Sequence, residues 1–173
     1  FHYAAIRHFN PGLLLTLFNY GKPDFHSVDK QGESLLNAFL RRMHTDSETN
    51  LAVLVLLLEH GADLTAASVW YQKEKAGVDW LAEKSLLVIQ KLVDKGFLDL
   101  NYTDNEGNTL LHKVCQENLN YDENKARELY KKVKYLVGEG IDPQSENRLD
   151  KKAVDYAMED NLKIKTVEWL LKQ

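Results

Sequence analysis

Asp104-Asn105-Glu106-Gly107-Asn108-Thr109-Leu110-Leu111-His112-Lys113-Val114-Cys115, followed after a long charged helical pattern by Leu136-Val137-Gly138-Glu139-Gly140-Ile141-Asp142, is the stretch that decides the fold. It opens on turn-forming residues (Asp104, Asn105, Gly107), runs into two helical patterns and closes at glycine, which makes it one supersecondary unit. A unit of that size cannot bury its own apolar face, so the decisive question is whether it recurs. The opening returns as Asp29-Lys30-Gln31-Gly32-Glu33-Ser34-Leu35-Leu36-Asn37-Ala38, and the close as Leu56-Leu57-Leu58-Glu59-His60-Gly61-Ala62-Asp63. Phe1-His2-Tyr3-Ala4-Ala5 enters in mid-unit and closes at Tyr20-Gly21, while Asn147-Arg148-Leu149-Asp150 opens a last unit that ends at Trp169-Leu170-Leu171. With His2, Asn37, His112 and Asp155 taken as equivalent, the intervals are 35, 75 and 43 residues. The long interval must hold a hidden unit, and Val93-Asp94-Lys95-Gly96 closes it.

These motifs resemble the ankyrin repeat, whose pattern is a turn with Asp and Gly, then Thr-Pro-Leu-His, Ala-Ala and, near the close, Leu-Leu before Gly-Ala-Asp. The resemblance spans nearly the whole chain in about five units, at residues 1–28, 29–67, 68–103, 104–146 and 147–173. It implies an all-α fold, an ankyrin-repeat solenoid of stacked helix-turn-helix units with the first truncated and the third degenerate. It also implies protein binding through loop tips and inner helices, and no catalysis. Leu35, Leu110 and Ala153 replace the motif's Pro, a drift that leaves groove curvature open.

Composition bounds the remainder. The chain has 173 residues, 44% of them apolar, enough for a substantial core, and five short units fit that length better than two globular domains. A net charge of −4 gives no nucleic-acid footprint unless a local basic stripe is concealed in the total. No apolar run approaches the ~18 residues of a membrane span. The single cysteine, Cys115, excludes an internal disulfide and suits a reducing compartment, so a cytoplasmic monomer is expected. Phe1 begins inside a repeat motif, and residues upstream of it are expected.

Along the chain, Asn10-Pro11 announces a helix with Leu13, Leu14, Leu17 and Phe18 on one face. Thr45 or Ser47 caps an almost enclosed helix over residues 51–60. The third unit lacks the Asp-Gly turn; residues 68–75 read as its first helix, residues 79–95 as its second, and its tip as lost. Its Trp70 and Trp80 belong to the residue types of binding hot spots, although a Trp in a helical stack more often fills the gap left by a degenerate motif. His112 reads as a structural hydrogen-bonding histidine and Cys115 as a buried, inert thiol. Lys131, Lys132 and Lys134 read as a solvated face, and Lys163, Lys165, Glu168 and Lys172 as a water-facing end.

No catalytic reading survives inspection. His-Glu-x-x-His, zinc-spaced Cys/His pairs, Gly-x-x-x-x-Gly-Lys and Gly-x-Ser-x-Gly are all missing, and spacing singles out no carboxylate pair. No cofactor or metal is expected. By the resemblance, partners meet the inner positions one, four and five residues after the motif's His: Tyr3, Ile6 and Arg7; Ala38, Arg41 and Arg42; Lys113, Gln116 and Glu117; Tyr156, Glu159 and Asp160. The loop tips add Lys30, Gln31, Glu33, Asn105, Glu106 and Asn108, and the third unit adds Trp70 and Tyr71. Arg41 and Arg42 lead this set, because guanidinium forks suit carboxylates and aromatic faces. The function expected is a protein-interaction scaffold gripping a protein partner. The alternative is a regulatory or substrate-recruiting segment of a larger multidomain protein, for instance a secreted bacterial effector enzyme acting in a host cytosol.

Overall fold

Five helices begin at a side chain that accepts an amide hydrogen from the first turn: Asn10, Ser34, Ser47, Thr109 and Asp122. Three helices end alike. The amides of Gly61, Gly96 and Gly140 bond to Leu58, Val93 and Val137, and those of Ala62, Phe97 and Ile141 reach back to Leu57, Leu92 and Leu136. This paired closure needs a left-handed residue, and all three glycines have positive φ. An aspartate turn then follows each end: Asp63, Asp99 and Asp142 accept from the amides of Thr65, Asn101 and Gln144, and Asp24 does the same with His26.

The computed structural model describes residues 1–173, which divide into two compact units, Phe1–Leu98 and Asp99–Gln173. The first holds a π-helical turn Tyr3–Arg7, α1 (Pro11–Tyr20), α2 (Leu35–Arg42), α3 (Glu48–Glu59), β1 (Ala67–Trp70), β2 (Lys73–Ala76), α4 (Gly77–Ala82) and α5 (Leu86–Asp94). Its core is built from Leu14, Phe39, Leu40, Met43, Leu54, Leu57, Leu81, Ile89 and Leu92. The second holds α6 (Leu110–Gln116), α7 (Glu123–Gly138), α8 (Ala153–Ala157), a 3-10 turn Asn161–Lys163 and α9 (Ile164–Leu170). Leu111, Cys115, Leu119, Leu129, Val133, Leu136 and Leu170 fill it.

The all-α expectation is wrong. About 51% of the chain is helical, and a two-stranded antiparallel sheet makes the fold mixed α and β. Residues 68–75, expected as a helix, form most of a β-hairpin with Ala67 opposite Ala76 and Trp70 opposite Lys73. Two forces overrode the helical reading. Val69, Trp70 and Tyr71 favour the pleat, and the buried Asn37 amide donates to Ala66 O, Ser68 Oγ and Lys75 O, so one side chain of α2 holds both strands. The third tip is therefore enlarged, not lost.

The hairpin leads into the α4 start Ala76-Gly77-Val78-Asp79, where the Asp79 carboxylate accepts the Ala76 amide at 2.7 Å. Asp155 accepts the Lys152 amide at 2.7 Å in the same way, and His112 Nδ1 accepts that of Thr109 at 3.2 Å. Gly77 stands where Thr-Pro-Leu-His has Pro because the Leu64 backbone passes close: a Cβ there would lie 3.0 Å from Leu64 O. The expected long helix over residues 79–95 breaks at Glu83-Lys84-Ser85, where Lys84 Nζ donates to the Met43 carbonyl at 2.9 Å.

The hairpin turn is costly in one respect. Tyr71 and Gln72 have φ of 46° and 64°, the left-handed pair that a two-residue hairpin demands and that Asn-Gly satisfies best. An L residue with a side chain pays about 1–2 kcal/mol there. Gln72→Gly is therefore expected to stabilise the first unit by about 1 kcal/mol and to raise Tm by a few degrees in a thermal denaturation series.

Candidate functional site

In the first unit the π-helical turn and α2 line a shallow hollow of about 290 Å³, formed by His2, Tyr3, Ile6, Arg7, Asp29, Ala38 and Arg42. The π-helical turn contributes Tyr3, Ile6 and Arg7, and α2 contributes Ala38 and Arg42. Five of the six inner positions expected from these two units thus share one cavity. Ile6 and Ala38 are buried and make its apolar floor. Tyr3 is 65% exposed and its ring lies 4.4 Å from that of His8. Arg7 and Arg42 are exposed at the rim, and no carboxylate pairs with either. Asp29 is the one acid present, and its Oδ1 already accepts the Gln31 and Glu33 amides. The sequence did not single out His2 or Asp29. Asp29 was nonetheless signalled as the first residue of its tip, where its side chain fixes the turn.

Arg41, the sixth position, has a different task. Its Nε and Nη2 fork onto Glu33 at 2.8 and 2.7 Å, and Glu33 is only 1% exposed. The hydrogen bond to Glu33 raises the Arg41 pKa against the opposing effect of burial. Its guanidinium also lies 3.8 Å from the centre of the Trp70 ring. Trp70 meets Tyr71 edge-on at 4.6 Å and Trp80 at 6.5 Å, and Lys75 Nζ sits 4.0 Å above Trp80. Arg41 and Glu33, expected at the partner surface, are bracing that fixes the hairpin to α2. Trp70 is half-buried in the same brace, whereas Tyr71 is 80% exposed at the tip. Lys30 and Gln31 are exposed on the neighbouring tip.

In the second unit most expected contact residues are already engaged. Lys113 is buried and bonded to Asp104, which also receives the Glu106 and Asn108 amides. Burial works to raise the Asp104 pKa, but the bonds from Lys113 and Asn108 outweigh it and hold the pKa below the ordinary value. Asn108 is buried and accepts from Asn147 Nδ2, which also donates to Tyr156 Oη. Glu117 pairs at 2.7 Å with Lys132, and Glu159 at 3.4 Å with Lys151. Asn105, Glu106 and Gln116 remain exposed. Lys113, Glu117 and Glu159 thus each have an ion-pair partner within the protein.

Three further expectations need correction. Lys132 is 2% exposed, not solvated, since it is drawn in by Glu117. Lys163 is 4% exposed, and its Nζ donates to the Cys115 carbonyl at 2.8 Å instead of facing water. Met158, aligned with the buried Ala5, Leu40 and Cys115, is 51% exposed. Cys115 is fully buried, and burial pushes its thiol up to about 12, which makes it a poor nucleophile.

His112 performs the structural role expected of it. Nδ1 accepts the Thr109 amide, so Nε2 carries the proton and donates to Lys151 O at 3.1 Å. Burial lowers its pKa, and protonation of Nδ1 would place two donors against each other. No group of three or more His, Cys, Asp or Glu is gathered to hold a metal ion, and no helix is long and apolar enough to cross a membrane. In comparisons with known proteins the chain matches no family model and no curated relative.

Two outcomes are expected. Arg41→Ala strands the buried Glu33 carboxylate and should cost about 3 kcal/mol in denaturant titration, while the apolar pair Glu33→Leu/Arg41→Met should cost much less. A neutral buried histidine gives stability that is present above its unfolded pKa of ~6.5 and lost as pH falls toward its lower folded value. Tm should therefore decline on acidification below about pH 6.5, and His112→Asn, the residue the chain itself uses at Asn37, should flatten that decline in melts recorded across pH.

Proposed function

We propose that this chain is a non-enzymatic protein-binding module built of divergent ankyrin-type units, and that its first unit meets the partner through the hollow beside α2. The observation that carries the reading is the convergence of Tyr3, Ile6, Arg7, Ala38 and Arg42 on one cavity. An apolar floor with uncommitted guanidinium groups at its rim is the composition of a contact patch, where Arg and Tyr are enriched and rigid backing lowers the entropy of association. Repeated tips support the unit assignment. Asp29, Asp104 and Asn147 each accept two amides of their own five-residue turn, and each turn is closed by a backbone pair.

The exposed tip residues Lys30, Gln31 and Tyr71 extend this surface along the braced edge of the same unit. Their backing is stiff: Val69 N donates to Gly32 O at 3.1 Å, so the hairpin is bonded to the preceding tip. The one thiol, Cys115, is buried with a raised pKa.

Affinity capture from the source organism's or its host's lysate, with Arg7→Glu/Arg42→Glu as the comparison, tests the proposal. The parent should retain a protein that the folded variant loses by at least about tenfold. Equal retention by both chains would remove the hollow from the interface.

A further inference from the structure

Resting on that reading, we infer that the hollow of the first unit recognises an acidic, extended peptide segment of its partner, with Arg7 and Arg42 receiving carboxylates and Ile6, Ala38 and Tyr3 receiving an apolar side chain between them. The argument begins with a contrast among the three arginines of the inner positions. Arg41 is held by a fork from Glu33 and covered by Trp70, so its charge is answered within the protein. Arg7 and Arg42 point at the same hollow with no ion-pair partner, on a chain whose net charge is −4. Two guanidinium groups that line one hollow favour an anion that neutralises both, and their planar forks match carboxylates bidentately.

Size selects the form of the occupant. At about 290 Å³ the cavity lies just below the range of sites that enclose a drug-sized ligand. It takes a side chain or two, whereas an amphipathic helix would need a groove several turns long. An extended segment presents alternate side chains to one surface, so an apolar residue can sit on Ile6 and Ala38 while its acidic neighbours reach the rim. Asp29 keeps its negative charge, although its Oδ1 is held by the amides of Gln31 and Glu33. It limits the arrangement to one in which the ligand's carboxylates lie on the arginine side.

The test is a phage-displayed library of random 12-residue peptides, panned at low salt against the whole chain and against Arg7→Glu/Arg42→Glu, with folding of both checked by thermal melt. Peptides selected on the parent should be rich in Asp and Glu flanking an apolar residue. Made synthetically, they should bind more weakly as salt rises and lose about tenfold or more in affinity to Arg42→Glu alone. The double reversal should select Lys- and Arg-rich peptides instead. Selected peptides with no acidic bias, or acidic peptides held equally by the double variant, would overturn the carboxylate assignment. The protein-binding reading would survive that result if lysate capture still depended on Arg7 and Arg42. A library that yields no enriched peptide also overturns the inference, since an extended segment must then be too little for the site.

Discussion

Three helix starts depend on one side chain in the first turn that ties them off. Asp79, His112 and Asp155 accept the amide of the residue three back, an amide that the helix leaves without an internal partner. His112 adds a second bond through Nε2 to Lys151 in the next tip. Asn37 gives up the first task, leaves its Oδ1 unpaired and uses its amide three times on the hairpin that follows. The position therefore joins a helix start, a tip or both, and its residue type decides which. In the same regions α2 packs on α4 and α6 packs on α8.

Much of this was legible in the sequence because it rests on local chemistry. Glycine closures, aspartate turns and serine or threonine caps involve residues a few positions apart, and most reappear near their expected places; the expected close at Gly21 is the exception, its backbone being extended at φ 161°. Misreadings came where distant partners decide. Residues 68–75 carry no turn signal of their own, and the pairing that makes them a hairpin is fixed by Asn37, about thirty residues earlier. Gly77, outside both helices expected in this stretch, is the first residue of α4, where the Leu64 backbone passes close. Asp79 makes the same bond as His112, to the amide three residues back, in a stretch where no neighbouring residue matches Thr-Pro-Leu-His.

Charge shows the same division. Counting residues along the helices placed Arg7, Arg41 and Arg42 on one surface, and the hollow does gather Arg7 and Arg42. The count could not reveal that Glu33 would be buried, so that Arg41 must answer it, or that Lys132 would turn inward to Glu117. A buried carboxylate without a cation is costly enough that the nearest guanidinium is claimed before any partner arrives. What a sequence pattern marks as available surface is thus reduced by the ion pairs that the fold itself requires.

The lysines between paired helices bear on how such a chain could be shortened or grafted. Lys84 stands between α4 and α5 yet closes the Met43 carbonyl at the end of α2, and Lys163, just before α9, closes that of Cys115 near the end of α6. α2 and α6 are thus each finished by a lysine that lies beyond a later helix start. Excision at the tips, the seams that the repeat pattern suggests, would leave those carbonyls open at the new terminus. A cleaner seam lies past the turn between helices, where an excised piece keeps the lysine that completes its neighbour.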